Sequence, residues 1–181
     1  MSLTPSCNKI GANRLVLFDP DWNPANDAQA LARVWRDGQT KMCFIYRFIA
    51  TGSIEEKIFQ RQAHKQSLSS CVVDEEQDVE RHFSLEALRQ LFAYKDDTLC
   101  DTHDTFKCKR CIKGRQVIKP PEGVINTGAT AADTSTWSHF SALELNKVFD
   151  PVLREQAQNT GVVTYVFQNK VCLFFFMNYW L

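Results

Sequence analysis

Two groups of residues in this chain have types and spacings that can do chemistry. The first lies in "QALARVWRDGQ", residues 29–39, where Arg33 and Arg36 stand three apart and Gly38 follows. Arginines at i and i+3 of a helix share one face. A guanidinium stays charged and forks onto phosphate oxygens. Beside a strand-to-helix loop, such a pair has the means to stabilise the charge on a transferring γ-phosphate. On spacing alone, two solvent-exposed surface cations are the plainer account.

The second group lies in "CDTHDTFKCKRC", where His103, Cys108 and Cys111 are spaced H-x4-C-x2-C. A C-x-x-C turn presents two thiolates to one metal, and zinc takes such ligands tetrahedrally. The surrounding loop has little else to fold it, which favours zinc over reduced, unliganded cysteines. Cys100 stands close enough in sequence to be a fourth ligand. Interleaved with these residues are Lys107, Lys109, Arg110, Lys113, Arg115 and Lys119. They can grip DNA phosphates or balance the acidic run at residues 74–80. Cys7, Cys43, Cys71 and Cys172 have no metal spacing and read as packing residues. Lys57, Arg61 and Lys65 recur four apart and read as a solvated helix face.

The elements that must position these residues follow from the pattern. "RLVLF", residues 14–18, predicts a buried strand of a parallel sheet. Asn23 before Pro24 predicts a helix start, and that helix is expected to run to about Arg36, with Leu31, Val34 and Trp35 on its apolar face. Residues 43–49 predict a second strand. Ser53 and Glu56 form a capping box for a helix over residues 54–67, cored by Ile54, Ile58 and Phe59. Strand, helix, strand, helix with short links is the end of a doubly wound α/β domain. Two strands and two helices cannot cover both faces of a sheet, so a partner sheet is expected to be missing. A short amphipathic helix at residues 84–92 follows the acidic run. Residues 126–139 read as a polar loop. A helical pattern from about Ser141 to Ala157 is expected to break at Pro151, and residues 162–167 read as a strand. There is no internal repeat.

Bulk properties agree with a globular chain. It has 181 residues, 44% of them hydrophobic, and a formal net charge of +0. No global basic field points to nucleic acid, so any such binding must be local. The start "MSLTPSCNKIG" lacks a signal-peptide pattern, which implies a reducing compartment and metal rather than disulfides. No apolar run reaches the length of about 18 residues needed to cross a membrane, so no membrane partner is expected.

With these motifs in hand, "GANRLVLFDPDWNPANDAQALARVWRDGQ" resembles the last helicase motifs of the Swi/Snf family of DNA translocases. The shared pattern is Asp19, Trp22, Asn23, Pro24, Gln29, Arg33, Arg36, Gly38 and Gln39. The stretch "ATGSIEEKIFQRQAHKQSLSSCVVDEEQDVERHFSLEALRQLF" is similar to the homologous-recombination branch of that family. The resemblance covers residues 10–168. It implies a partial RecA-like second helicase lobe, followed by a small, mostly helical zinc-binding C-terminal element. It implies that Arg33 and Arg36 are arginine fingers and that Gln29 positions nucleotide and catalytic water. Asp19, Gly38 and Gln39 would lie at the lobe interface. Trp22 is a packed loop aromatic or a DNA contact, and Lys107, Lys109, Arg110, Lys113 and Arg115 are candidate DNA contacts. His139 fits the family's fourth zinc ligand beside His103, Cys108 and Cys111. The family's activity is ATP-driven movement on double-stranded DNA in the nucleus, in repair by homologous recombination, with a RecA-like recombinase filament as partner.

Departures from the family pattern qualify that reading. No G-x-x-x-x-G-K-[ST] and no acidic box is present, so the ATP and Mg2+ cradle of the first lobe is absent from this sequence. The chain is expected to be inactive alone, as a truncated product or partial gene model would be. The expected division is residues 10–73 for the lobe, 74–99 for an acidic linker and helix, and 100–140 for the zinc-binding loop. Residues 141–168 hold a helix and strand, and 169–181 an apolar tail. Family members end in a polar segment after "TYVFQ". Here "VCLFFFMNYWL" reads as translated intron or as an edge strand.

Overall fold

The computed structural model describes residues 11–18, 21–35, 37–71, 85–120, 134–169 and 173–177. Asp19, Arg36, the acidic run at 74–80, residues 126–133 of the polar loop, Cys7 and Cys172 lie outside the described residues, as do the side chains of Lys65 and Cys71.

The architecture is mixed α/β. Strand β1 (Arg14–Leu17), helix α1 (Pro24–Leu31) and strand β2 (Phe44–Ala50) form a parallel β-α-β unit, with Arg14 opposite Phe44. Helices α2 (Ile54–Cys71), α3 (Leu85–Phe92) and α4 (Asp101–Thr105) follow. A two-stranded hairpin pairs β3 (Cys111–Ile112) with β4 (Arg115–Gln116). Strand β5 (Ser138–Ser141), helix α5 (Pro151–Thr160), strand β6 (Val163–Gln168) and strand β7 (Leu173–Met177) complete the chain. The main sheet has the order β1-β2-β7-β6-β5.

Strand β7 corrects the reading of the apolar tail as an edge strand. It pairs parallel to β2, with Tyr46 opposite Leu173, and antiparallel to β6, with Val166 opposite Phe175. A strand paired on both sides needs no polar alternation, and the unbroken run "LFFFM" has none. Conversely, β1 is not a buried strand. It is an edge, and Val16 is 49% exposed.

Part of the cover expected to be missing is supplied from within the chain. Period-2 alternation sends Ile45 and Ile49 of β2 into one apolar cluster with Leu31, Phe59, Trp137 and Phe167, while Tyr46 joins another with Leu145, Val148, Ala157 and Val166. The second cluster is supplied by α5 and by the 3-10 helix Ala142–Lys147. Both faces of β2 are therefore covered from within the chain. The C-terminal part is not mostly helical: β5 begins at Ser138, at the end of the expected polar loop, and pairs antiparallel with β6.

Local signals explain the helix boundaries. Asn23 caps α1 by accepting from Ala25 N at 3.1 Å, and Pro24 takes the first position. The helix ends at Leu31 rather than near Arg36, and Arg33 N bonds Ala30 O at 3.3 Å in an irregular turn. Leu31 and Val34 are buried, but Trp35 is 64% exposed and leaves the expected apolar face. The Ser53 hydroxyl accepts from Glu55 N at 3.1 Å, while Glu56 reaches Gly52 N at 2.7 Å. Pro151 starts α5 instead of breaking a helix. Asp150 caps it, accepting from Val152 N and Leu153 N. Arg47, the one cation of β2, is buried and forms an ion pair with Asp27 of α1 at 2.8 Å; it also donates to Gln62 of α2 at 3.0 Å. A buried cation in a strand requires such partners, and the network ties three elements together.

Candidate metal centre

Helix α4 positions the first candidate ligand, His103. Its N-cap is Cys100, whose Sγ accepts from His103 N at 3.4 Å and lies 3.3 Å from Glu56 Oε1. The same Glu56 oxygen accepts from Thr102 N at 2.6 Å, so a wholly buried carboxylate of α2 holds the start of α4. Asp101 adds an ion pair to Lys57 at 2.7 Å and one to Lys95 at 3.1 Å. Lys57 is thus an anchor and not part of a solvated face. Burial alone would raise the Asp101 carboxyl, but hydrogen bonds from Lys57, Gln60 and Lys95 outweigh it and bring it to about 2.

The next two candidate ligands, Cys108 and Cys111, sit on a tight knuckle. Lys107 adopts a φ of 48° and turns the chain into Cys108. Cys111 opens β3, and the hairpin turns through Lys113 and Gly114, with φ of 49° and 75°. Two positive φ values in a two-residue loop are what a type I′ hairpin needs, and glycine supplies one without strain. From β4, Gln116 Oε1 accepts the His139 backbone N–H at 2.7 Å, which docks the hairpin on β5.

His139 of β5 supplies the fourth group and is fully buried. Its Nδ1 lies 3.5 Å from the sulfurs of both Cys108 and Cys111. One nitrogen or sulfur from each of His103, Cys108, Cys111 and His139 lies within 4.8 Å of the others, and Cys100 is not in the group. A tetrahedral zinc ion places sulfur and nitrogen ligands roughly 3.6 Å apart, so the spacing fits. His139 Nε2 faces Thr134 O at 2.9 Å. A proton on Nε2 leaves the Nδ1 lone pair aimed at the cysteines, the usual outer-shell arrangement of a metal-binding histidine. His103 Nε2 is buried with no hydrogen-bond partner, an orphaned polar atom that a metal would satisfy.

Burial lowers His139 to about 4 and also lowers His103, so both imidazoles stay neutral near pH 7. Burial and the neighbouring Cys108 raise Cys111 to about 11. Only a cation at the centre would make that thiol a thiolate at neutral pH. Two thiolates and two neutral imidazoles would balance the charge of a zinc ion held there. Beneath the centre, His103 lies against Tyr165 and His139 against Phe167, each with ring centroids 4.8 Å apart.

The other expected site residues are placed as follows. Arg110 is turned inward and donates to the carbonyls of Trp137, at 2.8 Å, and Ser135. Both bonds come from Nη2, and Nη1 is buried, so the guanidinium faces the interior rather than solvent, where a DNA contact was expected. Lys107, Lys109, Lys113 and Arg115 are exposed. Trp22 is 55% exposed ahead of α1, and Gln29 is exposed on α1. Arg33 is half-buried beyond the helix end. Gly38 has a φ of 88°, and Gln39 braces the loop through Ala12 O at 2.8 Å and Lys41 N at 3.1 Å. Sequence reasoning missed Glu56, Gln116 and Asp101 as supports. The capping box was the one signal that pointed to Glu56. Among the described residues no helix is long and apolar enough to cross a membrane.

No protein-family model matches the chain. It is 64% identical over 163 residues to the DNA repair protein rhp54 of Schizosaccharomyces pombe, covering 90% of this chain and 18% of that protein. It is 60% identical over 163 residues to a DNA repair and recombination protein RAD54-like of Danio rerio, covering 90% of this chain and 21% of that one. The DNA repair and recombination protein RAD54 of Saccharomyces cerevisiae is 54% identical over 162 residues, with 89% of this chain and 17% of that protein covered. The chain thus spans about a fifth of the length of the curated relatives it matches.

Proposed function

We propose, from this homology to RAD54-like DNA repair and recombination proteins, that the chain acts in homologous recombination and double-strand-break repair as part of a nuclear, double-stranded-DNA translocase. Residues 10–73 are the end of its RecA-like second lobe. Arg33 and Arg36 act there on the transferring phosphate, Gln29 orients the nucleotide and water, and Asp19, Gly38 and Gln39 meet the first lobe. ATP and Mg2+ are held by that first lobe, and a recombinase filament is the partner of the whole. Residues 100–140 form a zinc-binding element. The observation that carries this last part is the convergence of His103, Cys108, Cys111 and His139 within 4.8 Å from three separate segments. Zinc, when bound, cross-links α4, the knuckle and β5. The chain's own residues do the rest: Glu56 fixes α4, Gln116 docks the hairpin, and Thr134 holds the His139 proton on Nε2.

Two experiments test the reading. In a complete motor, Arg36→Ala and Arg33→Ala are each expected to lower ATP turnover about 10³-fold or more while ATP and DNA binding persist, since a finger acts on transition-state charge. Near-normal turnover in both variants rejects the fingers. The 181-residue chain alone should show no DNA-stimulated ATPase, and metal analysis should find one zinc per chain. A second reading, a non-catalytic DNA-binding module, is favoured by the exposed cations around the metal centre.

A further inference from the structure

The stretch from Lys107 to Lys119 contains six cations and no acid. A run of charge is usually a solvated face, but two structural facts separate this one from that case. The first is direction. Cys111 pairs with Gln116 and Ile112 with Arg115. Cys111 and Gln116 face the metal centre, so alternation turns Ile112 and Arg115 outward. Lys113 stands at the turn, and Lys107, Lys109 and Lys119 are exposed beside it. Only Arg110 is drawn inward, by the carbonyls of Ser135 and Trp137.

The second fact is that the described acids form no ion pair with this charge. None of the five outward cations forms an ion pair with a described residue. Glu144, which accepts from the hairpin's Gln116 N at 3.2 Å, is paired with Lys147 at 2.5 Å, and Arg115 acts on it only through space, helping to lower its carboxyl. A zinc ion with two thiolates and two neutral imidazoles adds no net charge, so the field survives metal loading. The hairpin is also rigid for its size. It is tied to β5 through Gln116, and a Cβ on Gly114 would meet Ser141 Oγ at 3.2 Å.

We propose that the β3–β4 hairpin and the Cys108–Cys111 knuckle form a finger that grips the phosphates of duplex DNA, held in its binding shape by the metal centre. Lys109, Lys113 and Arg115 make the grip. Arg110 is a positioning residue that fixes the knuckle to the strand carrying His139. Ile112 and Val117, 60% and 56% exposed, lie among the cations. Two such side chains are far too little for a stable protein interface, which buries roughly 800 Å² per partner. They suit the sugar edge of a groove. The inference rests on the zinc reading only for the effect of metal removal.

The test uses the zinc-loaded 181-residue chain and a 30-base-pair duplex of mixed sequence, with affinity read by fluorescence anisotropy across a salt series. Lys109→Gln/Lys113→Gln/Arg115→Gln is expected to weaken binding at least tenfold in low salt. It should also reduce the salt slope by about 2 to 3, the value for two or three lost phosphate contacts. Metal content and thermal unfolding should match those of the unsubstituted chain. Lys41→Gln/Arg89→Gln, which removes charge elsewhere, should change affinity less than twofold. Removing zinc with a chelator should weaken binding about as much as the triple substitution, and restoring zinc should recover it. Full zinc with undiminished duplex binding in the triple variant overturns the finger. So does an equal loss in the control variant. If the triple variant instead loses binding to a polyglutamate peptide and keeps duplex, DNA is the wrong occupant. A chain that holds no zinc but still loses duplex in the triple variant refutes the metal reading and leaves the finger standing.

Discussion

At the scale of single residues, spacing made three of the four residues of the candidate metal cluster visible. A C-x-x-C turn with a nearby histidine is a local pattern, and the knuckle between Cys108 and Cys111 keeps it local. The fourth member returns from 28 residues beyond Cys111, and no local rule separates His139 from the nearer Cys100. Packing does so: Cys100 Sγ is spent on capping α4 and on Glu56, whereas His139 Nδ1 points at both sulfurs. The expected outcome is therefore asymmetric. Cys108→Ser should lose the metal altogether, and His139→Ala should retain little. Cys100→Ser should keep full zinc while loosening α4. Metal analysis of the three proteins decides this, and full occupancy in Cys108→Ser would reject the site. The direction of Arg110 was not legible either, because a cation in a basic run reads the same whether it faces solvent or two buried carbonyls.

At the scale of elements, caps and periodicity located α1, β2 and α2, since each carries its signal within a few residues. Strand β5 was hidden in a polar stretch, because its pairing with β6 and not its composition makes it a strand. Helix α1 stops early, so the shared helix face expected for Arg33 and Arg36 does not extend to Arg33. The link between α2 and α4 carries a pH prediction. Asp101 is held at about 2, below the ordinary carboxylate value of 3.8, by Lys57, Gln60 and Lys95. A carboxylate depressed on folding contributes stability above its unfolded value, and that contribution is lost as pH falls through the folded value. On the chelator-treated chain, where metal release cannot intervene, stability should fall between about pH 4 and pH 2. Lys57→Met should cost about 2 kcal/mol at neutral pH, as expected for a hydrogen bond to a charged group, and should flatten that acid transition. Denaturant unfolding at a series of pH values measures both. An unchanged acid profile in Lys57→Met would mean that the Lys57–Asp101 link does not carry the effect.

At the scale of the whole molecule, the sheet draws β1 and β2 from the first part of the chain and β5, β6 and β7 from the last. Composition could not reveal this, because the partners of β7 are far apart in sequence: Tyr46 opposes Leu173 on one side, and Val166 opposes Phe175 on the other. Read as an appendage, the tail invites deletion as a route to better solubility. Its central place predicts the reverse. Removing residues 171–181 takes β7 from between β2 and β6 and leaves two long unpaired edges where the sheet was continuous. Each strand hydrogen bond contributes about 1 kcal/mol net, and β7 pairs along both sides, so the loss approaches the roughly 5–15 kcal/mol that holds a whole domain folded. The truncated chain should aggregate more and lose its single cooperative thermal transition. The metal element should respond less, because His103, Cys108, Cys111 and His139 all lie outside β7 and α4 is anchored to α2 through Glu56. Thermal unfolding with zinc quantified alongside separates the two effects. An unchanged melting transition in the truncated chain would show that β7 is dispensable and that β2 and β6 do not depend on it.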